Sequence, residues 1–318
     1  MGVVDITQKE YFTDEERFAD FVNAVCFNGR GVIKPEELEA VPESVRKADE
    51  AAVLERTCDV VKKCTKDGTV FAIYAMENQK AVDYRMPVRV MLEESLRYDS
   101  QIKQIVKKNL EVIKKSEDTE AMNDGEFLYG LRKTDRLTPV YTMVIYWGDG
   151  EWDGATSLRE LVAIPGENKE VRQLMLEMIP DYKIRVYDLN KEKDFSAFTT
   201  TLRTVFEFYS RHDDGNSMKE YIEEHREEVD NLDRESRFFL SKMLKDRDLT
   251  KVLRNNEKNK GNKKEEAGMC KAIDELREMS RQEGIEQGRA EERSNAEKVI
   301  YALQEENERL RKQLALQV

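Results

Sequence analysis

Soft metal ligands are scarce in this chain. Two histidines and four cysteines stand among 318 residues. Cys26, Cys58, Cys64 and Cys270 have no CxxC spacing, so neither a zinc site of that kind nor a disulfide framework is indicated. His212 and His225 lie in helical, charged surroundings and read as ordinary surface residues. There is no apolar run of about eighteen residues, the length a membrane-spanning helix needs, and no membrane partner is expected. Met1 to Lys9 lacks the basic-then-apolar layout of a signal peptide, which makes the cytoplasm the expected location. Positive charge is short as well: 53 Lys and Arg against 65 Asp and Glu leave a net charge of −12. That balance argues against a protein that coats nucleic acid by neutralising phosphates. A nuclease stays open, because the field at its cleft is what counts.

The chain is long enough to bury a substantial core as one or two domains. Its 37% charged residues and mean hydropathy of −0.73 make it polar, chiefly through the C-terminal part. Thr69 to Met76 reads as a strand buried on both faces, rich in β-branched and aromatic residues without clean alternation. Lys66-Asp67-Gly68 supplies turn chemistry between it and the preceding apolar run, predicting a hairpin. Glu77 and Gln79, two apart at the end of the second run, project from one face of a strand. With Asp59 on the neighbouring strand, two carboxylates and an amide converge there. Such a constellation suits a hard divalent cation held by oxygen.

The pattern predicts a helix over 13–28, with Thr13 as cap, Asp14, Glu15 and Glu16 in its first turn, and Phe18, Phe21, Val22 and Val25 as its apolar stripe. Gly29-Arg30-Gly31 ends it. Residues 34–51 read as a loop with a short helix at 43–50. Pro87 suits a first helical turn, and helical spacing runs on to about residue 115. After a polar loop, Thr138 to Trp147 and, more weakly, Tyr182 to Leu189 read as strands. Strands alternating with long helices indicate an α/β sheet with some parallel pairing. Beyond 195 the pattern is helical only: 195–211, 216–228 and 233–247. A charged linker at 251–268 precedes a helical tail over 269–318. Ile300, Leu303, Asn307, Leu310 and Leu314 fall at a and d positions of a short coiled coil, which predicts a homo-oligomer formed through this C-terminal helix. Gly284 and Gly288 permit either close helix approach or a hinge.

Asp59-Val60-Val61-Lys62-Lys63, Tyr74 to Gln79 and Asp83 to Arg89 resemble, in that order, the core of the recombination-promoting nuclease (Rpn) family, whose members are also called transposases. The similarity continues through Glu126 to Lys133, Leu137 to Val140, Ile145 to Gly148 and Trp152 to Gly154, so it spans residues 10–210. That family belongs to the PD-(D/E)XK nuclease superfamily. The resemblance implies a restriction-endonuclease-like mixed sheet flanked by helices over 1–212, followed by a helical extension at 213–250. It also implies hydrolysis of DNA phosphodiester bonds with Mg²⁺, or Mn²⁺ in its place, in a recombination or mobile-element setting.

On that resemblance Asp59 and Glu77 are the metal ligands, with the backbone carbonyl of Asn78 a third. Gln79 stands where most of the superfamily has a catalytic lysine. Gln orients water without bringing charge, so Lys63, four residues from Asp59 on the same strand face, is the expected substitute. Asp20 resembles an extra acidic ligand on the first helix. Tyr98 and Gln101 are placed as supporting polar groups, and Lys62, Lys103 and Lys107 as DNA contacts. Cys58 precedes the aspartate where relatives often carry arginine, and the usual proline before that aspartate is missing. The alternative expectation is a catalytically degenerate nuclease fold that acts as an interaction or oligomerisation module. A true transposase would need three carboxylates in another fold.

Overall fold

A computed structural model describes residues 3–48, 53–115, 123–212 and 214–244, and helical positions 285, 289, 292, 293, 296 and 298. The expected linker, the heptad residues, Gly284 and Gly288 lie outside the described residues.

The chain opens with α1 (Val3–Tyr11) and α2 (Glu15–Phe27). Asp14, not Thr13, caps α2: its side chain accepts the Arg17 N–H, while the Thr13 hydroxyl donates to the Glu10 carbonyl. Asn28 and Gly29, both at positive φ, end the helix. Short β1 (Leu38–Ala40) follows, then β2 (Ser44–Ala48) and β3 (Val53–Thr57), which pair antiparallel as a separate ribbon. Where a helix is expected at 43–50, Ser44–Ala48 is therefore a strand. β4 (Val60–Lys66) and β5 (Thr69–Gln79) form the expected hairpin. Asp67 and Gly68 take φ values of 48° and 75°, the two left-handed residues that a two-residue turn matched to strand twist requires.

α3 (Met86–Lys115) carries the chain back, as parallel pairing demands, to β6 (Val140–Tyr146), which lies parallel to β5. α4 (Asp124–Tyr129) lies between α3 and β6, and α5 (Leu158–Leu161) and α6 (Lys169–Met178) lie between β6 and the last strand. β7 (Arg185–Asp188) completes a mixed five-stranded sheet in the order β1-β4-β5-β6-β7. Four helices follow β7: α7 (Leu202–Ser210), α8 (Gly215–Glu224), α9 (Arg226–Asp230) and α10 (Arg234–Met243).

The sheet has two unlike faces. Val60, Tyr74, Met76, Met143, Ile145 and Trp147 look toward α2 and α7 and join the main core, rich in phenylalanine. Residues of α8 to α10, including Ile222, Val229, Phe239 and Leu240, belong to the same core, so the helices after 213 are built onto the sheet domain. The opposite face carries Val61, Ala75 and Val144 and is covered by α3 through Met86 and Val90. No helix among the described residues is long and apolar enough to cross a membrane.

Candidate functional site

β5 outruns β4 at its C-terminal end. Val60, the first residue of β4, pairs with Met76, leaving Glu77, Asn78 and Gln79 beyond it. Asp59 occupies the vacated edge. Its N–H donates to the Met76 carbonyl at 3.1 Å, and its Oδ2 accepts the Asn78 N–H at 2.7 Å and the Asn78 side-chain amide at 3.3 Å. Asn78 Oδ1 in turn accepts the Trp147 indole N–H at 2.9 Å, anchoring the strand end in the aromatic core. A residue's N–H and C=O project from the same edge of a strand, so the Asn78 carbonyl also faces the Asp59 side. Burial raises the pKa of Asp59, against the pull of the Asn78 bonds, Arg89 and Lys9.

Glu77 points to the α3 face and is 3% exposed. Its Oε2 meets Arg89 Nη2 at 3.0 Å and the Gln79 amide at 3.5 Å; Oε1 has no hydrogen-bond partner. Burial pushes its pKa up to about 7, the Asp59 and Glu93 charges add to the shift, and Arg89 and the adjacent Cys58 thiol oppose it. Beside it, the buried Cys58 thiol donates to Glu93 Oε1. Arg97 holds the same oxygen through Nε at 3.1 Å and Nη2 at 3.0 Å, and also binds the Pro42 and Glu43 carbonyls. Burial first, then the two carboxylates, drive the Cys58 thiol well above its ordinary value.

The structure thus brings Asp59, Glu77, Asn78 and Gln79 to one strand end, and it sends the other sequence candidates elsewhere. Lys63 does not reach the site. It pairs with Ile73 in the sheet register and its ammonium meets Glu39 at 2.8 Å. Four strand residues amount to roughly 13 Å of rise, so sharing a face with Asp59 does not bring it close. Asp20 lies on α2, across the sheet from Glu77. Both its oxygens are taken by five hydrogen bonds from the backbone and hydroxyls of Thr199 and Thr200, which fix the chain entering α7. Lys62 also faces α2, where its buried ammonium binds the Thr13 carbonyl and, at 2.6 Å, Glu15.

Tyr98 and Gln101 support β6 and not the site. The Tyr98 hydroxyl accepts the Val140 N–H at 3.0 Å, and Gln101 clasps Thr138 by both its N–H and its carbonyl. Lys103 is exposed and pairs with Asp99 at 2.8 Å. Lys107 is exposed on the same helix. Sequence reasoning missed Arg89, Glu93 and Arg97 as site residues. Their signal is legible afterwards: charges four apart on the helix face that also carries Met86 and Val90.

The residues present fit a hard cation in one respect and crowd it in another. Carboxylate and carbonyl oxygens of Asp59, Glu77 and Asn78 are suitable donors, and the lone buried Glu77 oxygen lacks a partner. Arg89 already neutralises the second Glu77 oxygen. A cavity of about 1060 Å³ lies elsewhere, between α2, α7 and α9, and its lining by Glu224, Glu227, Glu228 and Asp233 does not suit a phosphate polymer. Comparison of the chain with protein-family models, curated proteins and solved structures found no match.

Proposed function

We propose that the protein is a Mg²⁺-dependent endonuclease that hydrolyses DNA phosphodiester bonds, of the recombination-promoting type its sequence motifs resemble. The placement of Asp59 and Glu77 at the same outrun end of β5, near enough for their charges to interact, supports this reading. A partnerless carboxylate oxygen in a buried setting is costly, and a cation offsets that cost. Asp59, Glu77 and the Asn78 carbonyl would hold the ion. When bound, Mg²⁺ would compensate charge on the non-bridging phosphate oxygens and lower the pKa of a coordinated water. Gln79 supplies an amide to orient water. Arg89, 3.0 Å from Glu77, supplies the fixed positive charge that Gln79 lacks and can face a phosphate oxygen. The tail over 269–318 would pair two copies, since cutting a duplex through both strands takes two sites.

The second reading, a retired nuclease core that serves as an interaction module, is favoured by Arg89 standing on Glu77 where an ion would bring its charge. One experiment separates them. Purified protein incubated with supercoiled plasmid and Mg²⁺ or Mn²⁺ nicks it, and Asp59→Ala and Glu77→Ala preparations do not. Equal cutting by those variants refutes the assignment to this site. No cutting by wild type, together with no Glu77-dependent cation binding in calorimetry, leaves the interaction module.

A further inference from the structure

Cys58, Glu77 and Glu93 bring one sulfur and two carboxylate oxygens within 4.8 Å of one another, and all three side chains are buried. Clusters of acids and a thiol are common without ligands, so the decisive observation is Glu77 Oε1. A 3% exposed carboxylate has one oxygen with no partner, although Cys58 and Glu93 stand beside it. A few other buried polar atoms of the fold lack a partner too; this one differs in being a carboxylate oxygen whose side chain has a sulfur and a second carboxylate oxygen within 4.8 Å. Glu93 is held rigid by Arg97, which is itself pinned to two backbone carbonyls. Only the thiol proton now links the sulfur to Glu93.

We propose that Cys58, Glu77 and Glu93 form a thiolate-containing cation site that takes Zn²⁺ or Co²⁺ in preference to Mg²⁺. It rests on Glu77 being a cation ligand, as in the proposed function; the two sites share that carboxylate, so Zn²⁺ bound here would compete with the Mg²⁺ held through Asp59 and Asn78. The arriving cation replaces the Cys58 proton, which leaves to solvent, so one thiolate and two carboxylates face the ion. Tetrahedral ligands around Zn²⁺, with metal–ligand distances of about 2.0–2.3 Å, stand roughly 3.5 Å apart, so atoms within 4.8 Å of one another need close by at most roughly 1.3 Å. Thiolate donors favour the borderline ions, and Mg²⁺ gains nothing from sulfur. Arg89 and Arg97 already balance the two carboxylates, so a divalent ion replacing the thiol proton adds one positive charge, which the nearby Asp59 carboxylate offsets.

The test is titration of the full-length, chelator-treated protein with Co²⁺, followed by near-ultraviolet absorption. A thiolate-to-cobalt charge-transfer band growing to one ion per chain supports the site, as does its displacement by Zn²⁺ but not by a large excess of Mg²⁺. The band is lost in Cys58→Ser and retained in Cys64→Ser. Co²⁺ binding without the band, or a band untouched by Cys58→Ser, overturns the proposal. The wild-type Zn²⁺ and Mg²⁺ competition decides the matter even if a Cys58 variant does not fold, and ready displacement by Mg²⁺ counts against the site. Plasmid nicking with Mg²⁺ but no thiolate band sinks this site and leaves the nuclease reading intact. A band without any metal-dependent cutting does the reverse.

Discussion

Replacing Glu77 by Gln should stabilise the metal-free protein while removing its proposed activity. Glu77 has a pKa raised from 4.5 to about 7, chiefly by burial, with the Asp59 and Glu93 charges adding to the rise and Arg89 relieving part of it. Between those two values the folded state holds a proton that the unfolded state has lost. Stability from this group is therefore fully present below about pH 4.5 and falls as pH rises toward 7. The interval of about 2.5 units at about 1.4 kcal/mol each makes the ionised Glu77 a liability of order 3 kcal/mol above pH 7. Gln keeps the shape, offers an amide in place of the charge, and leaves Arg89, a third exposed, to water. Urea unfolding of chelator-treated wild type and Glu77→Gln at pH 5 and pH 8.5 reads the effect. The variant should gain little at the lower pH and about 2–3 kcal/mol at the higher, with unchanged denaturant slope. A difference that is the same at both pH values, or a variant less stable at pH 8.5, refutes the claim that Glu77 is strained by its own charge.

Three further outcomes are expected. Asp59→Ala strips the acceptor from the Asn78 N–H and should cost about 1–3 kcal/mol in unfolding assays, whereas Asp59→Asn keeps an oxygen there and costs less; neither should nick plasmid. Asp20→Ala removes all five bonds to Thr199 and Thr200 and should destabilise the fold by about 3 kcal/mol or more, and calorimetry on the folded fraction should find cation affinity unaltered. Gly29→Ala forces a side chain onto a φ of 74° with its Cβ 3.0 Å from the Ala197 carbonyl oxygen, so its melting temperature should fall by several degrees while Gly31→Ala, with open space around it, changes little.

What the sequence made legible follows from where the physics is local. The β4–β5 hairpin was readable because Asp67-Gly68 dictates the turn and the flanking runs are unambiguously β-forming. α3 was readable because Pro87 and thirty residues of helical spacing agree. β2 was not. Ser44 to Ala48 contains Arg, Lys and Ala, which favour helix, and only pairing with Val53–Thr57 makes it a strand. Asp20 was misread for a similar reason: the hydroxyls that occupy it come from 179 and 180 residues further along the chain. Thr13 lost the cap to its neighbour Asp14, because an N-cap needs one residue in extended geometry and either type could serve.

The site itself divides along the same line. Asp59, Glu77 and Gln79 could be placed together from alternation within one hairpin. The positive charge could not, because a strand-face argument can propose only a lysine on the same strand, and Lys63 is several rungs from the open end of the sheet. Arg89 comes from the first turn of the helix that leaves β5, and that turn necessarily folds back over the strand end it has just left. A helix placed there also delivers Glu93 one turn later and Arg97 two turns later. The alternation of charge along this face therefore sets the site's electrostatics, with Arg89 on Glu77 and Arg97 on Glu93. Each carboxylate receives one guanidinium and no more, which leaves Glu77 with a spare oxygen in a buried place. The chemistry proposed for this protein begins at that oxygen.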